Sequence, residues 1–452
     1  MTLSVYKNNS NVEEELIDHI RILNRNAEKT QLNTKEDWFS QLKILNLHGI
    51  STPLKDSNQM KKLNYREIYI VPVFQQKVLG FFRQRKSLTS ENNWINGTVI
   101  QQKGKLILEK VNRIPSNREE KRLRKIATRA VYALNLDYGV VKVGLYASKP
   151  WVIYVNTYDK SDERITALLE HAVADFEDQW DQMIHNWKKN VVLGADPEFV
   201  LQKKDGSLVL ASNYLPKKGI VGCDLIWTNR DRSQRPLAEL RPAPANNVRD
   251  LILNLYKSML VGTQKIKNRD LKWLAGALPI KGYPIGGHIH FSGVQLNSFL
   301  LRALDNYLTL PITLLEDKNG IGRRPKYGFL GDFREQFHGG FEYRTPPSWL
   351  VSPTMTKGAL ALAKLIAENY IYLEQDPLEN SSVQEAYYTG NKEVLRPIVN
   401  RLWHELKGLK DFSLYQKYLL PLEDLMVKGY TWDETIDIRK PWRLPPFHKD
   451  EG

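Results

Sequence analysis

Apolar positions along this chain recur at two spacings. From 35 to 50 (KEDWFSQLKILNLHGI) they fall at helical intervals, and a turn-like STPLKDSNQ follows. REIYIVPVF (66–74) and KVLGFFRQ (77–84) read as strands joined through Gln75 and Gln76, a hairpin. Beyond a polar loop, Asn117 with Glu120 three residues later gives a capping-box pattern. The helix it opens carries Leu123, Ile126, Ala127, Ala130 and Leu134 on one face. VVKVGLY (140–146) and WVIYVN (151–156) predict two more strands about a short turn, and a long helix from about Ser161 to Trp187 closes this half. From Val191 onward, short strand-like runs alternate with loops and with three amphipathic helices over 246–266, 296–316 and 353–374. In the first of these, Val248, Leu251, Ile252, Leu255 and Met259 share a face. The pattern divides the chain into an N-terminal helical segment (1–60), a smaller α+β domain (61–188) and a larger α+β domain (189–452), with no fixed-period repeat.

Four runs in the second half repeat one chemical pattern. VVLGADPEFV places Asp196 and Glu198 two apart, with Ala195, Phe199 and Leu201 on the opposite parity. PLAELRP does the same with Glu239 and Arg241. GGHIHFS puts His288, His290 and Ser292 on one parity, and GFEYRTP puts Glu342 and Arg344 there. Strand side chains alternate faces, so each run offers ionisable groups to one side and apolar groups to a core. If the four share a sheet, its polar face is concave and gathers carboxylates, imidazoles and guanidiniums. Divalent cations with phosphate would compensate such a gathering most readily, and oxygen ligands with one imidazole suit Mg²⁺ or Mn²⁺. Glycine pairs before the histidines (Gly286, Gly287) and before Phe341 (Gly339, Gly340) would permit close backbone approach to a ligand. Each run alone has an ordinary explanation: a surface ion pair, or a structural histidine pair. The coincidence of four favours function. The loop GIGRRPKYGFLGDFREQF (320–337) adds Arg323, Arg324, Lys326 and Arg334, whose alternatives are phosphate binding and a basic surface loop.

Composition narrows the classes. The chain has 452 residues, of which 42% are hydrophobic and 26% charged, as in a globular protein with ample core. No apolar run reaches the roughly 18–20 residues of a membrane span, and the N-terminus lacks the basic-then-apolar order of a secretory signal. A single cysteine, Cys223, rules out an intramolecular disulfide and any multi-cysteine metal site, so a cytoplasmic location is expected. The net charge is +14. Much of the excess lies in one stretch: Lys103, Lys105, Lys110, Arg113, Arg118, Lys121, Arg122, Arg124, Lys125 and Arg129 against Glu109, Glu119 and Glu120. It reads either as a solvated helix face or as a surface for a polyanionic acceptor.

The ordered series GADPEF, AELRPAP, GGHIHFS, RRPKYG and FEYRTPPS resembles the phage-type and bacterial amidoligases, the type 2 carboxylate–amine ligases related to glutamine synthetase and glutamate–cysteine ligase. The resemblance spans roughly 191–375 and implies a curved antiparallel sheet binding ATP and Mg²⁺. It implies metal ligation by Asp196, Glu198, Glu239, His288 and Glu342, with Arg344, Arg334 and Arg324 at the transferring phosphate. Nucleotide contacts would come from His290, Ser292, Arg323, Lys326, Tyr327 and Arg241. Asp196 stands where many relatives carry Glu, and Asp224 is a further candidate. The implied reaction is amide formation through an acyl phosphate, with small-molecule or peptide carboxylate and amine substrates. The first half resembles the C-terminal part of an ATP-grasp domain of the spore-coat-associated type. Lys142 and Tyr154 occupy the expected metal-acid places while Asn156 remains, which implies a degenerate remnant that positions substrate. Glutamine-synthetase relatives often share sites between subunits, so a homo-oligomer is compatible. The competing readings are a guanidino kinase, an inactive assembly protein and a nucleic-acid binder. The carboxylate face argues against the last, because it would repel a phosphate backbone.

Overall fold

A computed structural model describes residues 35–54, 63–86, 94–95, 98–99, 106–112, 114, 116–156, 162–184, 187–226, 234–337 and 339–447. The chain forms two compact units, Met1–Ile184 and His185–Gly452. The expectations for residues 1–34 and 55–60, and those for Lys103, Lys105 and Arg113, lie outside the described residues.

In the first unit, α1 (Lys35–Leu47) precedes β1 (Glu67–Phe74), β2 (Lys77–Val78) and β3 (Phe82–Lys86). A two-stranded ribbon of β4 (Trp94–Ile95) and β5 (Thr98–Val99) follows, then β6 (Leu106–Lys110), α2 (Asn117–Ala133), β7 (Tyr138–Tyr146), β8 (Lys149–Asn156) and α3 (Glu163–Ile184). The sheet runs β6-β3-β1-β7-β8 with β2 folded back on β1, every pairing antiparallel. Both tight hairpins place non-glycine residues at positive φ: Gln75 and Gln76 after β1, Ala147 and Ser148 after β7. Such turns match the twist of the flanking strands, which is why two residues suffice to reverse the chain. The strand expected over 77–84 is broken into β2 and β3 by Leu79, Gly80 and Phe81. The cap of α2 is Ser116, one residue before the expected Asn117, and its side chain accepts from Glu119 N at 3.3 Å. One sheet face packs Tyr69, Val71, Val73, Val141, Val143 and Val155 against α1 and α2. On the other parity Lys142 and Tyr154 stand directly opposite each other. Several basic side chains of the 103–129 stretch are used internally. Arg124 pairs with Glu120 at 2.7 Å, Arg122 donates to Ser148 O, and Arg129 donates to His48 O. Arg118 and Lys121 remain exposed.

The second unit opens with α4 (Trp187–Asn190) and carries β9 (Val192–Gln202), β10 (Leu208–Val209), β11 (Val221–Asp224), β12 (Leu237–Leu240), α5 (Val248–Lys265), β13 (Lys272–Leu274) and β14 (Gly287–Ser292). Next come α6 (Ser298–Leu304) and α7 (Leu310–Leu315), joined by a π-helical turn Asp305–Thr309, then β15 (Phe333–Glu335) and β16 (Phe341–Tyr343). Helices α8 (Pro353–Asn369), α9 (Ser381–Thr389), α10 (Lys392–Gly408) and α11 (Phe412–Val427) complete it. The antiparallel sheet runs β11-β12-β9-β14-β16-β15, with β10 and β13 on the far end of β9. The apolar parity is buried throughout: Phe199, Leu201, Ala238, Leu240, Ile289, Phe291, Phe341 and Tyr343. Phe199 stacks on Trp273 at 4.8 Å and Phe291 on Phe341 at 5.1 Å. Each such large side chain contributes about 1.5–3 kcal/mol through burial, and this fixes which face the other parity presents. Among the described residues, no helix is long and apolar enough to cross a membrane.

The segment after α11 has no strand yet straps the unit together. Trp432 N donates to Leu315 O, Ile438 N donates to Trp273 O, and buried Glu434 accepts from Leu278 N at 3.1 Å. Burial raises the Glu434 carboxyl to about 7, with the Ala277 and Leu278 amides opposing the rise. Two expected glycine roles are revised. A side chain on Gly286 would strike the His288 ring, and one on Gly287 would strike Pro347 O and the Trp349 indole, so these glycines serve close packing within the protein. Gly339, at φ +88°, serves a turn. Gly287→Ala is expected to destabilise the second unit by about 1–3 kcal/mol, read as a fall of several degrees in Tm by thermal melting. An unchanged Tm would show that Pro347 and Trp349 can shift aside.

Candidate functional site

Directly opposed residues of neighbouring strands share a face, so the register decides which polar groups meet. His288 lies opposite Asp196, and His290 lies between Gly194 and Glu342. Glu239 is opposite Glu198 and Arg334 is opposite Glu342. All four polar runs therefore deliver their groups to one face. Arg241 and Arg344 sit one residue beyond the ends of β12 and β16 on the same parity.

The centre is Asp196, His288 and Glu342, whose ligand-type atoms all lie within 4.8 Å of one another. His288 Nδ1 is 3.3 Å from Asp196 Oδ1 and 3.2 Å from Glu342 Oε1, while His290 Nε2 is 3.0 Å from Asp196 Oδ1. Glu342 is held from three sides: Gln336 Nε2 donates to it at 3.0 Å, and Arg334 and Arg344 each approach to 3.3 Å. Its backbone is pinned because Phe341 and Tyr343 are buried on the opposite face. The Tyr343 hydroxyl donates to Asp305 and meets Thr309 at 2.7 Å, both in the π-helical turn. Glu198 accepts from Gly286 N at 2.6 Å. Glu239 is ion-paired with Arg241, which lies across Gly222, where any side chain would collide with it.

Burial opposes every charge here, and neighbours decide which survive. Burial alone would push Asp196 up, yet His288 and His290 hold it well below the usual carboxylate range. Burial would lower His288, but Asp196, Glu198 and Glu342 raise it to about 9. Burial and the Asp196 charge push Glu239 up to about 10 despite Arg241, and burial also raises Glu198 and Glu342. Asp196 Oδ1, His288 Nδ1, His290 Nε2, Glu342 Oε1 and Arg344 Nε are buried without hydrogen-bond geometry, although they stand at ion-pair distances. Carboxylate oxygens and ring nitrogens turned toward a shared centre, instead of squarely toward one another, suit a divalent cation.

The remaining candidates separate. Ser292 is half-buried at the end of β14, opposite Val192. Asp224 is half-exposed, 3.7 Å from Arg235, and its charge adds to the rise of Glu198. Lys326 is exposed with Nζ 5.5 Å from the Tyr327 ring, and Tyr327 packs against an apolar cluster that includes Val200 and Leu237. Arg323 and Arg324 are placed differently from their expected phosphate-facing positions. Arg323 is buried and donates to Thr345 O at 2.7 Å and Pro346 O at 3.2 Å. Arg324 pairs with Glu316 at 2.8 Å, both side chains 3% exposed, with its guanidinium 4.6 Å from the centre of the Tyr387 ring. Gln336 is a site residue that the sequence reading misses, although it shares parity with Arg334 in FREQF.

The phage phiEco32-like COOH.NH2 ligase-type 2 family model matches residues 193–444, more than half of the chain and nearly all of the elements just described. No curated protein matches. Among solved structures, a D-alanine–D-alanine ligase from Bacillus anthracis is 14% identical over 26% of this chain and 43% of its own, with a TM-score of 0.21. A bifunctional glutathione synthetase from Pasteurella multocida is 10% identical over 58% of this chain and 53% of its own, with a TM-score of 0.36. A novel glutamine synthase homolog is 14% identical over 51% and 70%, with a TM-score of 0.25. The chain thus spans less than half the length of that D-alanine–D-alanine ligase. With the family matched over its sheet, its strap and every one of the four polar runs, the chain belongs to the phage phiEco32-like COOH.NH2 ligase-type 2 family.

Proposed function

We propose that this protein is an amide-bond-forming ligase that joins a carboxylate to an amine, activating the carboxylate with ATP and a divalent cation, Mg²⁺ or Mn²⁺, through an acyl phosphate. The observation that carries the reading is the Asp196–His288–Glu342 trio, backed on the Glu342 side by Arg334 and Arg344. Asp196, His288 and Glu342 would hold one cation, and Glu198 with Glu239 a second. Bound there, cations neutralise phosphate charge.

The chain's own residues account for the rest. Arg344 and Arg334 stand where negative charge grows on a transferring phosphoryl group, and fixed donors of this kind stabilise it most in a water-poor site. A substrate carboxylate oxygen bonds to the γ-phosphorus as the bond to ADP breaks, and ADP leaves with the electron pair. The amine nitrogen then bonds to the acyl carbon, the carbon–oxygen bond to phosphate breaks, and the amine's surplus protons pass to solvent. A carboxylate has no adequate leaving group until it is phosphorylated, which is the chemical reason for spending ATP. Gln336 and the Gly286 amide orient Glu342 and Glu198. His290 and Ser292 would meet phosphate further along β14. Arg323 and Arg324 support the loop behind the site.

Purified protein with Mg²⁺-ATP and pooled carboxylates and amines is expected to release ADP and phosphate only when both substrates are present. Glu342→Gln and Glu198→Gln should each lower the rate by at least about 100-fold. Turnover that survives both substitutions would sink the reading, and ADP release with a phosphorylated guanidine would replace it with a kinase.

Protonation gives a second test. The cation-free His288 is raised from 6.5 to about 9. The stability it contributes is therefore complete below about pH 6.5 and is lost as pH rises through about 9. A cation must displace that proton, so Mg²⁺ affinity should grow between pH 7 and 9. Calorimetry in buffers of different ionisation enthalpy should show proton release on Mg²⁺ binding, reduced in Asp196→Asn, with the remainder coming from Glu239, raised to about 10, at the second site. Affinity that is flat across this range would exclude His288 from the cation site.

A further inference from the structure

The site face continues past His290 toward the start of β9. Gly194 lies opposite His290 and shares the parity of Asp196. A side chain on Gly194 would stand 3.3 Å from His290 Cβ and 3.7 Å from Pro244 Cβ, so glycine keeps open the space between the imidazole and the proline. Pro244 is fixed there by its neighbours. Ala245 N donates to Leu193 O at 2.9 Å, Leu193 N donates to Ala245 O at 3.0 Å, and Asn254 Nδ2 donates to Ala243 O at 3.0 Å.

Pro244 is also the near wall of an open cavity of about 570 Å³, bounded beyond it by one side of α5 from Asn247 to Lys257. That volume is within the range of small-molecule sites. At a rise of about 1.5 Å per residue, the helix wall is about 15 Å long. A free amino acid does not span it, whereas an extended chain advancing about 3.4 Å per residue covers it in about four residues.

The lining is rich in side-chain amides, and its two charges are not equivalent. Asn246 is exposed and has no side-chain partner among the described residues. Asn254 spends its amide nitrogen on Ala243 O and keeps its carbonyl oxygen to accept. A carboxamide carries the donor and acceptor that a peptide bond also carries, so such walls complement peptide groups. Asp250 already accepts from Asn247 Nδ2 at 2.6 Å. Lys257, at the far end, is exposed and has no ion pair among the described residues. The charge left to meet a ligand is therefore positive.

We propose that the amine substrate is a short peptide, with its amino end over Gly194 beside His290, its peptide groups against Asn246 and Asn254, and its C-terminal carboxylate at Lys257. This rests on the ligase reading above and adds to it the class of amine. The unpaired cation sets the direction, because a peptide reacting through its carboxyl end would bring an ammonium to Lys257.

Tetraalanine, tetraalanine amide and free alanine are titrated by calorimetry into full-length protein holding Mg²⁺ and a non-hydrolysable ATP analogue. Alanine side chains leave recognition to the backbone and the termini. Tetraalanine is expected to bind at least about tenfold tighter than alanine, the worth of one or two hydrogen bonds. Amidation should weaken the peptide about threefold, as loss of one exposed ion pair does. Lys257→Gln should weaken tetraalanine by the same factor and leave the amide unchanged. Asn246→Trp should remove the peptide's advantage by filling the cavity. Equal affinity for alanine and tetraalanine, no binding of tetraalanine, no effect of amidation, an amidation effect that persists in Lys257→Gln, or a peptide advantage that survives Asn246→Trp would each overturn the peptide subsite while leaving the ligase reading intact. Failure of the wild-type protein to bind the ATP analogue would instead overturn the reading on which the subsite rests. The wild-type comparison decides the matter even where Asn246→Trp fails to fold.

Discussion

The site depends on one constraint, the antiparallel register of β9, β14 and β16. Pairing His288 with Asp196 and His290 with Glu342 puts two imidazoles between two carboxylates that could not otherwise be buried together. A slip of one residue would send every one of these groups into the apolar core and bring Phe199, Ile289 and Tyr343 out to water. The register is therefore enforced from behind. The energy that holds the charged face in place is the burial of the alternate residues, including the Phe291–Phe341 stack and the Tyr343 hydroxyl anchored in the π-helical turn. Chemistry and core are two sides of the same strands, and neither can be changed alone.

A second layer keeps the loops around that sheet from collapsing into it. Arg323 and Arg324 hold the 320–346 region by opposite means, one through neutral backbone carbonyls and the other through a buried carboxylate and an aromatic ring. Burying a guanidinium is costly unless its donors are satisfied, and the planar fork of arginine can satisfy several acceptors at once. The close packing of Gly286, Gly287 and Gly222 belongs to the same layer, since each lets a ring or guanidinium lie where a methyl group would stand. The C-terminal strap, through Trp432, Glu434 and Ile438, ties the helical side to β13 and the segment after it.

What is legible in the sequence follows from what has a period. Strands alternate, so parity alone assigns Asp196, Glu198, Glu239, His288, His290 and Glu342 to one face, and they share one. Helices repeat, so α2, α5 and α8 can be located within a few residues. Loops have no period. Arg323, Arg324, Arg334 and Lys326 therefore look alike in the sequence, although two are interior and two are outside the core. Glycines before a strand permit close approach without saying of what, and here the approach is by His288 and Trp349. The strap is invisible for the same reason: its contacts are made one residue at a time to distant backbone carbonyls and amides. Gln336 differs in having a usable signal, its parity with Arg334.

Under the proposed function an anion and an amine nucleophile must meet at one carbon, and a uniform site would favour one of them. The sheet resolves this by varying along its own width. From β15 and β16 the face offers guanidiniums beside Glu342, at β9 and β14 it offers Asp196 and the two histidines, and between β9 and β12 it offers Glu198 and Glu239, with Val200 and Leu237 further along the same two strands. Because strands are about 4.8 Å apart, these zones succeed one another within a few strand spacings. Strand order thus sets the charge that the face presents from one edge to the other. Within the trio His288 compensates both Asp196 and Glu342, so removing any one of the three leaves a buried charge without its partner.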